Sequence, residues 1–183
     1  MEINFNLTQE ITRQGLDEVK LLDEVFKIRT AIIYDWGNWK VSTANSSPDF
    51  IVFTYKNCIE FIVNIHVGLI VSLRFSNAYE GKLFNKVAIG DMVKQLLTVN
   101  PDIVFDEHVI AWDDSFEVEF EIDNDSETIP SLEEVLDNKI TTITVRNYDL
   151  SFVIVAADQM PESWIEMQSK RYGKLSSDED LNW

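Results

Sequence analysis

FIVFTYKNCIEFIVNIHVGLIVSLRF, residues 50–75, decides the fold. It divides into Phe50–Tyr55, Cys58–Ile65 and Leu69–Phe75, parted by Lys56-Asn57 and by His66-Val67-Gly68. Each run is rich in β-branched and aromatic side chains, and the breaks are short and polar or glycine-containing. That spacing predicts a three-stranded antiparallel meander. Apolar residues at successive positions, as in Phe61-Ile62-Val63, predict strands covered on both faces.

Upstream, Ile11, Leu16, Val19, Leu22, Val25 and Phe26 recur at mostly three- and four-residue steps, with charged residues between them. The spacing predicts a helix over about residues 7–29, with Asn6 and Gln9 as a capping pair. Gly15 is its weak point, costing about 1 kcal/mol relative to alanine. A short apolar run, Ala31 to Tyr34, and a turn at Trp36-Gly37-Asn38 follow.

Downstream, Asp91 to Val99 reads as a short helix capped by Asp91 and ended by Asn100-Pro101. Strands are expected at 103–105, 109–112, 116–122, 140–145 and 150–155, with a helical turn near 131–136. A last helix is expected from Pro161 to about Tyr172. Since strands and helices do not alternate, the fold class is α+β. It has an antiparallel sheet of about six to eight strands, with an N-terminal and a C-terminal helix packed on it. One domain over residues 1–172 and a polar tail over 173–183 complete the assignment.

The chain has 183 residues, 45% of them hydrophobic, enough for a sizeable core. Its 15 basic and 32 acidic residues give a net charge of −17, which opposes phosphate backbones and anionic lipids. Nucleic acid and membrane are therefore not expected as direct partners. Met1–Asn6 lacks the basic and apolar segments of a signal peptide, and no stretch has the ~18 apolar residues of a membrane span. The single Cys58 cannot form an internal disulfide, so a cytoplasmic location is expected.

The acid is concentrated. Between Asp102 and Asn138 stand 14 acidic residues and no lysine or arginine, which leaves the rest of the chain nearly neutral. Within that window Phe116, Val118, Phe120 and Ile122 alternate with Glu117, Glu119, Glu121 and Asp123. A strand would put the apolar set on one face and the carboxylates on the other, about 7 Å apart and within the ~8 Å screening length. Such a row repels itself. It is either a solvated face kept for solubility or a docking surface for a basic partner. Trp112, beside Asp113 and Asp114, is the candidate apolar anchor of that surface, or else a core tryptophan.

Catalytic chemistry has little material. Asp123, Asp125, Glu127 and Glu134 imitate a calcium loop, but Thr128 stands where glycine is required and Pro130 interrupts it. Two histidines, His66 and His108, and one cysteine show no metal-ligand spacing, and no nucleophile elbow or glycine-rich phosphate loop occurs. No catalytic residue, metal ligand or cofactor is assigned.

The stretch Tyr79-Glu80-Gly81-Lys82-Leu83-Phe84-Asn85-Lys86-Val87-Ala88-Ile89-Gly90-Asp91, with Asn138–Val145 later, resembles small acidic immunity proteins of bacterial polymorphic toxin and contact-dependent inhibition systems. The resemblance covers roughly residues 68–145. It implies a cytoplasmic, non-enzymatic protein that binds one cognate toxin domain, often a nuclease with a basic groove, and neutralises it by occlusion. No site residues transfer by motif. The rival expectation is a binding or adaptor module for some other partner.

Overall fold

Period-two alternation gives the strand at Ile59–Asn64 its buried and half-buried faces, whereas in the central strand at Leu69–Ser76 the successive residues Leu69, Ile70, Val71, Ser72 and Leu73 are all buried, so that strand is covered on both faces as expected. The structure, a computed structural model, describes residues 5–44, 47–106, 109–124 and 131–147. In chain order these hold α1 (Phe26–Tyr34), β1 (Trp39–Ala44), β2 (Ser47–Tyr55), β3 (Ile59–Asn64), β4 (Leu69–Ser76), β5 (Lys82–Leu83) and β6 (Val87–Ala88). Then come α2 (Val93–Val99), β7 (Val104–Asp106), β8 (Val109–Ala111), β9 (Val118–Ile122) and β10 (Ile140–Arg146). Eight strands form one antiparallel sheet in the order β1-β2-β3-β4-β10-β9-β8-β7, and β5-β6 form a separate ribbon.

The expected meander is present. Lys56 and Asn57 both have positive φ, at 48° and 56°, and the Cys58 amide donates to the Tyr55 carbonyl at 3.0 Å, a primed turn inside the three-residue connection between Tyr55 and Ile59. The register pairs Phe53 with Phe61 and Phe61 with Leu73, so the buried faces of β2, β3 and β4 stay aligned. One buried cluster joins Trp39, Tyr55, Phe61, Leu73, Phe75, Ile143, Val145, Val118 and Phe120. Phe5 closes its β1 end, with ring centroids 5.1 Å from Phe61 and 5.7 Å from Trp39.

The expected helix over 7–29 is not formed. Residues 5–25 run as tight turns and single bridges: Ile11 against Leu83, Thr12 against Gly15, Gly15 against Lys20 and Glu24 against Leu69. Gly15 takes a φ of 106°, which an α-helix excludes. Ile11, Leu16 and Val19 are fully buried, each brought to the core by a separate turn. Spacing of three to four residues is produced by such turns as well as by a helix. Asn6 accepts from the Thr8 amide, an Asx turn, and caps no helix. The helix begins only at Phe26 and absorbs the apolar run Ala31–Tyr34, with Ile28 and Ala31 joining the core cluster.

Two smaller corrections concern caps and edges. Met92, not Asp91, is the N-cap of α2, and Asp91 instead accepts the Ala88 amide at 2.8 Å. The Trp36–Asn38 turn is a 3-10 turn that leads into β1, a strand the composition of Trp39–Ala44 did not announce. The expected strand at 150–155, the helix at 161–172 and the tail at 173–183 lie outside the described residues. No described helix is long and apolar enough to cross a membrane.

Candidate functional site

The strands of the acidic window form one end of the sheet, because β9, β8 and β7 are consecutive neighbours out to the edge opposite β1. Glu119 and Glu121 lie on the non-core face of β9, and β10 sets Thr144 and Thr142 directly across from them. Two bonds from that arrangement matter. The Arg146 guanidinium, one step along β10, pairs with Glu119, their side chains only 16% and 13% exposed. Arg74, in β4 beyond Thr144, pairs with Glu121 at 2.5 Å and reaches Glu60 of β3 at 3.6 Å.

The same holds at the start of the row. Arg13 pairs with Asp113 and approaches Glu117 at 3.6 Å. Asp113 also accepts from the Ser115 hydroxyl at 2.6 Å. Asp123 lies past the strand end and accepts the Lys139 backbone amide. The expected row of unopposed carboxylates is therefore corrected to a paired one: arginines from three remote segments offset Glu117, Glu119 and Glu121. Phe116 sits outside β9 with a φ of 55°, so the alternating set starts at Val118.

Trp112 is partly buried, its ring edge-on to Phe84 at 5.0 Å and 6.4 Å from Phe120. It packs at the rim of the core, and Asn100 donates to its carbonyl. Asp114 is exposed, as are Asp102 and Asp106 at the β7 end, and none of the three has a cationic partner among the described residues. Lys94 pairs with Asp137 at 2.6 Å. His66 meets Asp49 at 2.8 Å, and no described group of three or more His, Cys, Asp or Glu side chains is placed to hold a metal ion.

The Arg13 hydrogen bond holds the Asp113 carboxyl below its usual range, against the opposing effect of burial. A depressed carboxyl stabilises the fold above its unfolded value, near pH ~3.9, and that contribution disappears as pH falls through the lower folded value. Urea unfolding should therefore show Asp113→Asn less stable than the parent at neutral pH. The gap should shrink below about pH 4. An equal gap at both ends of the range would mean that Arg13 does not hold this carboxylate.

The arginines were legible only in part. Arg74 and Arg146 each stand in phase with polar residues, Ser72 and Thr144, so alternation sends them off the core face. Which glutamate each meets depends on strand order.

No family model matches the chain, and no curated protein matches it. The fold is similar to the crystal structure of the uncharacterized protein yfeY from Escherichia coli, with a TM-score of 0.51. That likeness covers 76% of this chain and 100% of the other at 15% identity, so it bears on the fold alone.

Proposed function

We propose that the protein is a non-catalytic binding module whose partner presents a cationic surface to the β7–β8–β9 end. The observation that carries this reading is the incomplete neutralisation of the acidic window. The strand row is paired with arginine, while Asp102, Asp106 and Asp114 remain exposed around one sheet edge. Carboxylates so placed speed encounter with a basic surface and reject acidic ones.

A toxin domain with a basic groove is one such partner, and the immunity-protein resemblance is what favours it. The bare row of Glu117, Glu119 and Glu121 does not, because those charges are already met within the chain. Contact is assigned instead to the loops and edge beside them, with Asp114 retained and Trp112 as part of the floor.

The test is a partner captured by cross-linking in the source cell and then bound by purified protein. Reversing Asp102, Asp106 and Asp114 together to lysine is expected to weaken binding by at least tenfold and to flatten its dependence on salt between about 50 and 500 mM. Unchanged affinity and salt dependence would remove this surface from consideration. Lysine at Glu119 or Glu121 is a poor probe, since it sets like charge against Arg146 or Arg74.

A further inference from the structure

We propose that the open edge of β1 is a seam for a second copy of this chain, joined by antiparallel β1–β1 pairing across a two-fold axis. Among the described strands β1 pairs with β2 alone. Lys56 donates to the Asn38 carbonyl at 2.8 Å, one register step before Trp39 opposite Tyr55. Bonded pairs alternate along an antiparallel ladder, so Lys40–Thr54 and Ser42–Val52 are bonded. The amides and carbonyls of Val41 and Thr43 then point away from the sheet, as does the Trp39 carbonyl. The Trp39 amide is satisfied by the Trp36 carbonyl.

The two edges of the sheet are built differently. β7 has three residues and ends on Asp106, a short charged edge of the kind that resists pairing. β1 has six residues, and Lys40, Val41, Ser42 and Thr43 are all exposed, Val41 at 50%. Just upstream Ile33, Tyr34 and Trp36 are 61%, 76% and 64% exposed. Val41 stands on the outward ladder, and the chain leading into β1 exposes three more large apolar side chains, which a folded monomer gains nothing by leaving in water.

Charge selects the occupant. The acidic strands β9, β8 and β7 lie five to seven strand spacings away, or about 24–34 Å, about three or more screening lengths at physiological salt. The β1 side carries Lys40 and Lys56. Two copies joined at β1 therefore keep their acidic ends as far apart as the sheet permits. Centring the axis on Val41 sets Val41 opposite its counterpart, Lys40 opposite Ser42 and Trp39 opposite Thr43. No like charges face each other, and the outward groups form about four hydrogen bonds. Head-to-tail addition would instead have to use the three-residue β7.

Sedimentation velocity and light scattering on the full chain over about 1–100 μM are expected to show a dimer. Val41→Pro removes the central donor where proline is tolerated, facing away from β2, and is expected to weaken the dimer by about 100-fold. Val41→Lys, which sets like charges at the axis without altering the backbone, is expected to weaken it at low salt and partly recover at high salt. Val41→Cys should cross-link two copies under mild oxidation, since directly bonded pairs bring Cα atoms to about 5.5 Å. Cys58 is buried and should not compete. A parent protein that stays monomeric to about 100 μM, an open-ended oligomer, or a dimer that survives both Pro and Lys at position 41 would each overturn the assignment.

Discussion

Replacing Arg146 with methionine is expected to destabilise the fold by about 3–5 kcal/mol, the usual consequence of leaving one member of a largely buried pair without its partner. Arg146 closes β10, and its amide donates to the Glu117 carbonyl at 2.8 Å while its guanidinium meets Glu119. At 16% and 13% exposure the two side chains are screened little by water. The double change Arg146→Met with Glu119→Gln should recover much of the loss, because it removes the orphaned charge as well as the pair. Urea unfolding of the parent, of Arg146→Met and Glu119→Gln singly, and of the double variant measures the coupling. A loss under about 1 kcal/mol for Arg146→Met would show a solvent-screened pair. It would also return the β9 carboxylates to the list of surfaces available to a partner.

Gly81→Ala is expected to lose roughly 3 kcal/mol, at the upper end of what overpacking costs. Residues 7–11 run beside 80–84. The Glu80 and Gly81 amides donate to the Leu7 carbonyl at 2.9 and 3.0 Å, and Ile11 exchanges backbone bonds with Lys82 and Phe84. A methyl group on Gly81 would overlap the Gln9 carbonyl oxygen and crowd the Tyr79 ring. That carbonyl accepts from the Tyr79 hydroxyl at 2.8 Å, so the bond would break as the segment moved. Phe5, Ile11 and Leu16, which seal the core from this segment, would move with it. A thermal unfolding midpoint equal to the parent's would mean that residues 7–11 do not lie against Gly81.

Most of the strand layout was legible because its signal is local. β2, β3 and β4 were expected within three residues of their ends, and the Lys56-Asn57 turn was placed where both residues take positive φ. The short helix before Asn100 and the helical turn at Glu133–Val135 were legible for the same reason. The N-terminal helix failed for an opposite one. Its apolar residues are each buried by a different turn, and a pattern of burial does not record the backbone path that produces it. Gly15 was the available warning.

Of the candidate site, the sequence alone determined how many carboxylates there are, that they crowd into one window, and that β9 puts its apolar side chains on one face and its acidic ones on the other. Those are properties of composition and of a two-residue repeat, and they need no knowledge of neighbours. Tertiary structure decided what the charges meet. Arg13, Arg74 and Arg146 lie 100, 47 and 27 residues from the acids they pair with. They arrive there only because β10 inserts between β4 and β9 and because residues 11–16 turn back toward the β8–β9 loop. Electrostatic energy depends on distance in space, so a count of charges along a chain cannot tell a bare acidic face from a neutralised one.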